Sequence, residues 1–226
     1  MFDPEQTRAA RQDMVAGQLV PRGIRDPRVL RAMAAIPRER FVPDALAADA
    51  YRDGPLPLGC GQTISQPYMV AVMAEELQLT GTETVLEVGA GSGYGAAILS
   101  CLARRVIAVE RIPELLDQAI GRWNALGLDN ITGILGDGTL GAPEYAPFDG
   151  ISVTAAAPGV PRSLFEQLRV ATGRMTIPVG ERFLQHLCLV RRKADGAMAM
   201  ETRFGCVFVP LVGREGWAEP PAASGW

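Results

Sequence analysis

A short run in the middle of the chain has the pattern of a ligand-binding turn. Residues 85–94 read VLEVGAGSGY, an apolar strand that breaks into glycines and then into helical sequence. Glycines at such a turn let the backbone approach a ligand closely and adopt dihedral angles that a side chain would forbid. The turn therefore predicts a bound small molecule that contains a nucleoside, and we expect Gly89, Gly91 and Gly93 to contact it.

Three acidic residues stand where successive predicted strands end. Glu87 lies two residues before Gly89, a place where a dinucleotide's pyrophosphate would need neutrality but where a carboxylate suits the cationic amino end of a methionine moiety. Glu110 ends the second strand and is expected to accept hydrogen bonds from both ribose hydroxyls. Asp137 follows the third strand and is expected to meet the adenine amino group.

The carboxyl ends of parallel strands converge on one crevice, so these acids predict one site, to which we add the neighbouring Arg111 and Gly138. The combination resembles the S-adenosylmethionine-binding motifs of the seven-stranded methyltransferases. Residues 91–96 also match the GxGxxA variant of dinucleotide sites, which leaves an NAD-dependent oxidoreductase as an alternative. Glu87 and the lack of a convincing hydride-transfer constellation disfavour that alternative.

A second candidate site precedes the glycine turn. Residues 59–69 read GCGQTISQPYM, a small-residue loop whose hydroxyls, Thr63 and Ser65, could simply cap the helix that follows. The Gly-Gln-Thr-Ile-Ser run, followed by an amide residue and then Pro, resembles the signature of the protein-L-isoaspartate O-methyltransferases. The resemblance extends from about residue 14 to about residue 213. Other matching runs are GIRD at 23–26, IPRE at 36–39, FDG at 148–150, PVG at 178–180 and FVPL at 208–211.

The resemblance implies methyl transfer from S-adenosylmethionine to the carboxylate of L-isoaspartyl residues in damaged proteins or peptides, which initiates repair through a succinimide. It implies that Ser65 orients the acceptor carboxylate and that Thr63 helps to hold the peptide. A carboxylate is ionised at neutral pH, so no general base is needed. Val207 stands where bacterial members usually have Arg, which leaves open a specialised small-molecule or biosynthetic-peptide acceptor. A non-catalytic cofactor-binding module is a further alternative.

Composition restricts the class of protein. The chain has 226 residues, 48% of them hydrophobic, a net charge of -3 and four cysteines without metal-ligand spacing. We expect mostly buried free thiols, no metal site and no nucleic-acid partner, because nucleic-acid binders need a basic surface. Neither an export signal nor an apolar run of about 20 residues is found, so we expect a cytoplasmic protein without a membrane partner. The sequence does not predict an oligomeric state.

The order of predicted elements indicates an α/β fold. Short β-branched runs alternate with helical stretches from residue 84 onward, which predicts a doubly wound, mostly parallel seven-stranded sheet. A turn signal at 194–196 predicts an antiparallel closing hairpin whose second strand runs through 206–209. We predict a single domain with three parts: an N-terminal helical and loop region at 1–80, a cofactor-binding core at 81–213 and a tail at 214–226 that contains Trp217 and Trp226. Within the first part we expect an irregular loop at 37–61 and solvated arginines, including Arg38.

Overall fold

The protein is built around a central sheet. A computed structural model describes residues 4–219, and Trp226 lies outside the described residues. A separate two-stranded ribbon stands before the sheet in the chain. The strands are β1 Leu56–Gly59, β2 Gln62–Ile64, β3 Thr84–Val88, β4 Arg105–Glu110, β5 Ile131–Leu135, β6 Gly150–Val153, β7 Arg174–Glu181, β8 Leu184–Arg192 and β9 Met198–Cys206. The helices are α1 Pro4–Met14, α2 Pro27–Ala35, α3 Pro67–Glu76, α4 Tyr94–Ser100, α5 Pro113–Ala125 and α6 Arg162–Gln167.

The main sheet has the strand order β5-β4-β3-β6-β7-β8-β9, in which β3 to β7 are parallel and β8 and β9 are antiparallel. This confirms the predicted doubly wound sheet and its closing hairpin. The chain order reverses between β3 and β6, the place where open α/β sheets form a ligand crevice beyond the carboxyl ends of their strands.

The parallel strands are apolar because both of their faces are covered. Side chains alternate across a strand, so Val85 and Val106 pack into one hydrophobic cluster with the N-terminal helices, whereas Leu86 and Ile107 pack into another on the opposite face. Glu87 points to the first of these faces, the one that α4 covers. Its carboxylate is therefore placed beneath the first turn of a helix.

The predicted irregular loop at 37–61 is wrong in part, because it contains 3-10 helices at Arg38–Phe41 and Asp44–Asp49 and ends in the strand β1. Strands β1 and β2 pair there as an antiparallel ribbon, with Leu56 opposite Ile64. The connecting residues Cys60 and Gly61 have φ values of 51° and 67°, the left-handed pair that a tight hairpin turn requires. Strands this short show no sustained alternation, which is why the sequence pattern missed them.

The predicted extent of the closing strand is also wrong, because β9 ends at Cys206. Beyond it, the Val209 carbonyl accepts from Ala156 N at 2.8 Å and Leu211 N donates to the Ala156 carbonyl at 2.8 Å. The chain therefore leaves β8 and pairs with the segment that follows β6, which brings residues 207–211 over the crevice. The apolar run gave no signal for this change of partner.

Cysteine burial was predicted incorrectly. Cys188 is buried, but Cys60 and Cys101 are exposed and Cys206 is partly exposed. Cys60 lies in the turn of the β1–β2 ribbon, where it has no core to enter.

No helix within residues 4–219 combines the length and apolar character needed to cross a bilayer. Nor does the described part of the chain gather three or more His, Cys, Asp or Glu side chains into a metal-binding group.

Substitutions at two glycines test whether the turn before α4 requires a glycine. Gly93 has φ +86°, and a Cβ there would lie 2.7 Å from Nε1 of Trp123, whereas Gly121 lies within α5 with open space around it. We expect Gly93→Ala to lower the free energy of unfolding by about 2 kcal/mol or more, since it adds left-handed strain to a steric overlap. Gly121→Ala should raise it by about 0.5–1 kcal/mol. Urea unfolding measures both, and equal effects would contradict the account.

Candidate active site

A cavity of about 390 Å³ lies at the carboxyl ends of the central strands. It contains all of the predicted site residues except Gly93 and Asp137. Those in its wall are Thr63, Ser65, Glu87, Gly89, Gly91, Glu110, Arg111 and Gly138. The glycine turn after β3 and the loop before α3, which are distant in sequence, therefore meet around one space.

Glu87 forms the floor of this cavity and is 1% exposed. The Ala96 N–H donates to its carboxylate, but Oε2 has no hydrogen-bond partner among the described residues. Burial raises the pKa of Glu87 well above its ordinary value of 4.5; the Ala96 N–H opposes this increase and the charge of Glu110 adds to it. A Cβ on Gly95 would overlap Oε1, so a glycine is needed there to admit the carboxylate.

Glu110 lies at the end of β4 and is held by backbone donors. Its Oε1 accepts from Arg111 N at 2.8 Å and Ile112 N at 3.0 Å, and its Oε2 accepts from Gly91 N at 2.8 Å. A carboxylate oxygen has two lone pairs, so Oε2 retains one accepting position. The backbone contacts fix this carboxylate at the edge of the cavity.

The two residues outside the cavity wall support it from behind. The Asp137 Oδ1 accepts from Thr139 N and its hydroxyl, and Oδ2 accepts from Arg214 N at 2.8 Å. Burial would raise the pKa of Asp137, but these donors and the nearby Arg111 outweigh burial and lower it. Gly93 packs its α-carbon against Trp123, whose Nε1 donates to the Gly93 carbonyl at 2.8 Å. Contact between Asp137 and an adenine stays a prediction.

Ser65 and Thr63 offer free hydroxyls to the cavity. Neither side-chain oxygen has a hydrogen-bond partner within residues 4–219, although both line the cavity wall. Both residues also line a smaller cleft of about 160 Å³, together with Thr154 and Val207. Ser65 and Thr63 therefore line two adjoining spaces, and neither hydroxyl is used as the helix cap that the sequence left open.

Arg38 is a functional candidate that the sequence reasoning missed, because the expected solvated arginine is fully buried. Its Nε donates to the Ala50 carbonyl at 2.7 Å and its Nη2 to the Ser65 carbonyl at 2.8 Å, while the guanidinium lies 4.9 Å from the ring centroid of Tyr94. Burial lowers the pKa of Arg38 to about 10, against the opposing influence of Tyr94 and Tyr51. Arg38 therefore fixes the backbone of the Ser65 loop; its place in the IPRE match was the available signal.

The described part of the tail, residues 214–219, covers the cavity. The Trp217 Nε1 donates to the Ala156 carbonyl at 3.0 Å, and Arg182 lies 5.4 Å from the Trp217 ring centroid. Arg111 forms an ion pair with Glu219 across the opening. Arg182 and Ala218 also line the cavity, so the C-terminal segment completes its wall.

An open sheet of this order, with an acid-lined crevice beyond β3 and β4, defines the class of Rossmann-like methyltransferases. The crevice also fits S-adenosylmethionine, because a buried carboxylate oxygen lacks a donor at Glu87 and the left-handed Gly91 leaves the backbone open to a ligand. The chain belongs to the protein-L-isoaspartate(D-aspartate) O-methyltransferase family, whose model matches residues 10–216. The cofactor of this family is S-adenosylmethionine.

Comparisons with individual proteins agree. The protein-L-isoaspartate O-methyltransferase of Trichlorobacter lovleyi is 52% identical over 208 residues, which cover 92% of this chain and 95% of that protein. That of Geobacter metallireducens is 53% identical, with coverage of 92% and 96%. A solved protein-L-isoaspartate O-methyltransferase superposes with a TM-score of 0.80 at 30% identity and covers 91% of this chain and 67% of its own. A Plasmodium falciparum structure in complex with S-adenosyl-L-homocysteine gives a TM-score of 0.74 at 25% identity, with coverage of 88% and 96%.

The buried carboxylate predicts an unusual pH dependence of stability. The pKa of Glu87 is raised in the folded state, so the folded protein binds more protons than the unfolded chain above about pH 4.5, and ionisation then destabilises it. We expect the free energy of unfolding of the ligand-free protein to fall as pH rises from 5 towards the raised pKa. In Glu87→Gln this component of the decrease should be absent.

Urea unfolding between pH 5 and pH 8 measures the difference. The exposed Glu144→Gln variant is the matched control and should follow the wild type. Identical pH profiles for wild type and Glu87→Gln would show that the carboxylate is already ionised in the folded protein.

Proposed function

We propose that this chain transfers the methyl group of S-adenosylmethionine to the free carboxylate of L-isoaspartyl residues in damaged proteins or peptides. The observation that carries the proposal is the position of Ser65 and Thr63, which have unpaired hydroxyls and line both the large cavity and the smaller cleft. A cofactor in one space and an acceptor carboxylate in the other would meet at these hydroxyls. Membership of the family supports the same reaction.

Glu87 and the glycine turn would hold the methionine end of the cofactor. The unpaired Oε2 of Glu87 is an acceptor for the cationic amino group, and this pairing would favour the ionised form of the carboxylate. Gly89 and Gly91, with φ values of 91° and 53°, expose their backbone to the same space. When bound, the cofactor supplies a methyl group activated by its sulfonium.

The nucleoside end would lie along β4 and β5. The remaining lone pair on Oε2 of Glu110 can accept from a ribose hydroxyl, so the structure has capacity for one of the two expected hydroxyls at that oxygen. Arg111 and Gly138 line the adjoining wall. Asp137 supports this wall through Thr139 and Arg214, and Oδ2 keeps one position for an adenine amino group.

The acceptor needs orientation rather than activation. Its carboxylate is ionised at neutral pH and already nucleophilic, so no residue has to remove a proton. The Ser65 hydroxyl can donate a hydrogen bond to one carboxylate oxygen and direct the other towards the methyl group, with Thr63 beside it. Arg38 holds the Ser65 carbonyl at 2.8 Å and so limits the movement of that hydroxyl. Holding the reacting atoms in line while water is excluded would supply most of the rate.

The product accounts for repair. Esterification replaces a poor leaving group with methoxide, and the amide nitrogen of the following residue can then displace methanol to give a succinimide. Hydrolysis of that ring returns a fraction of the chains to normal aspartate.

Paired peptides test the proposal. Two peptides that differ only in an isoaspartyl or an aspartyl linkage are incubated with methyl-labelled S-adenosylmethionine and the wild type, Ser65→Ala or Ser100→Ala. We expect labelling of the isoaspartyl peptide alone. Ser65→Ala should lower kcat/KM about tenfold to a hundredfold, since it removes one hydrogen bond to a charged group. Ser100, whose hydroxyl bonds the Ala97 carbonyl in α4, is the matched control and should show wild-type rates.

The other outcomes distinguish the alternatives. Cofactor binding without labelling of either peptide would contradict the proposal and favour a specialised carboxylate acceptor or a non-catalytic module. Equal labelling of both peptides would contradict selectivity for the isoaspartyl linkage.

A further inference from the structure

Three large apolar side chains are exposed beside the smaller cleft. Phe183 is 87% exposed, Val207 73% and Leu184 62%, the highest values among the large hydrophobic residues that the structure describes. Covering such side chains with another apolar surface lowers the free energy of the system. A group of them next to a candidate active site indicates a binding surface.

The topology places these side chains at one corner of the sheet. Phe183 lies in the tight connection between β7 and β8, and Leu184 is the first residue of β8. The pairing of Gln185 with Cys206 makes Leu184 and Val207 the next residues beyond that pair on neighbouring segments. We call Phe183, Leu184 and Val207 the apolar rim.

The apolar rim meets the smaller cleft at Val207. Val207 lines the smaller cleft, which it shares with Ser65, and Arg182, the residue before Phe183, lines the large cavity. A polypeptide whose acceptor carboxylate reaches Ser65 through the smaller cleft would therefore place its neighbouring residues beside Val207.

The smaller cleft is uncharged as far as the structure describes its wall. Its apolar members include Pro55, Met69 and Phe208, and its polar members are neutral hydroxyl and amide side chains. The acceptor carboxylate itself can be met by the Ser65 and Thr63 hydroxyls. Any further charged residue entering the cleft would lose hydration without gaining a counter-charge, whereas an apolar residue would be favoured. The cleft and the apolar rim thus both favour apolar residues of the substrate over charged ones.

We propose that the apolar rim selects polypeptide acceptors that carry a large apolar residue next to the isoaspartyl linkage. This inference rests on the proposed function and adds its substrate preference. Folded proteins bury such residues, so the rim directs the enzyme to segments that have lost their native packing. Val207 is the specificity-determining residue because it belongs to both the cleft wall and the rim.

Flanking-residue peptides test the inference. Isoaspartyl peptides carry Leu, Glu or Lys immediately before or after the isoaspartyl residue, and kcat/KM is measured for each. With the wild type we expect the Leu peptide of one flanking position to exceed its Glu and Lys counterparts at least tenfold, mainly through KM. Val207→Arg should reduce the Leu preference and raise kcat/KM for the Glu peptide. Met200→Arg, at an exposed apolar position of β9 outside the cleft wall, is the matched control and should keep the wild-type preference.

Each result is decisive. Equal kcat/KM for Leu, Glu and Lys at both positions, with isoaspartyl labelling intact, would overturn the inference and leave the proposed function standing. Equal effects of Val207→Arg and Met200→Arg would overturn the role of Val207. If the wild type labels none of the isoaspartyl peptides, the proposed function fails and the inference fails with it.

Discussion

A buried carboxylate with an unpaired oxygen is the constraint on which the rest of the site depends. Glu87 lies beneath the first turn of α4, and its Oε2 lacks a donor within the described chain. Residue 95 has to be a glycine to make room for this side chain, and the turn before α4 leaves the cavity open above it. Burying a carboxylate oxygen without a hydrogen-bond donor is costly, so its presence at the floor of a cavity indicates a ligand that supplies the donor.

A buried cation, Arg38, holds the loop on the proposed acceptor side of the site. Arg38 lies against Tyr94, the first residue of α4, and binds the Ser65 carbonyl, whereas Glu87 lies under the next residues of the same helix. The beginning of α4 thus connects the Glu87 floor of the cavity to the loop that carries the Ser65 hydroxyl. The N-terminal region therefore supports the candidate active site, because Arg38 holds that loop in place.

The sequence predicted the features that rest on local pattern. The alternation of β-branched runs with helical stretches from residue 84 onward predicted the parallel sheet, and the convergence of the carboxyl ends of parallel strands predicted that Glu87 and Glu110 share one cavity. Features that depend on distant partners were not predictable in this way. Neither the burial of Arg38, nor the transfer of residues 209–211 to Ala156, nor the bonds that Asp137 makes to the tail has a local signal, because each partner lies far along the chain.

The role of Glu87 is tested most directly by counting the protons released when the cofactor product S-adenosylhomocysteine binds. Near pH 6 the ligand's amino group is already protonated, so pairing with Glu87 should ionise that carboxylate and release a proton to the buffer. Calorimetry in buffers of different ionisation enthalpy should then show release of up to about one proton per site in the wild type and almost none in Glu87→Gln. Binding without proton release in the wild type, or equal release in both proteins, would contradict the role assigned to the buried carboxylate.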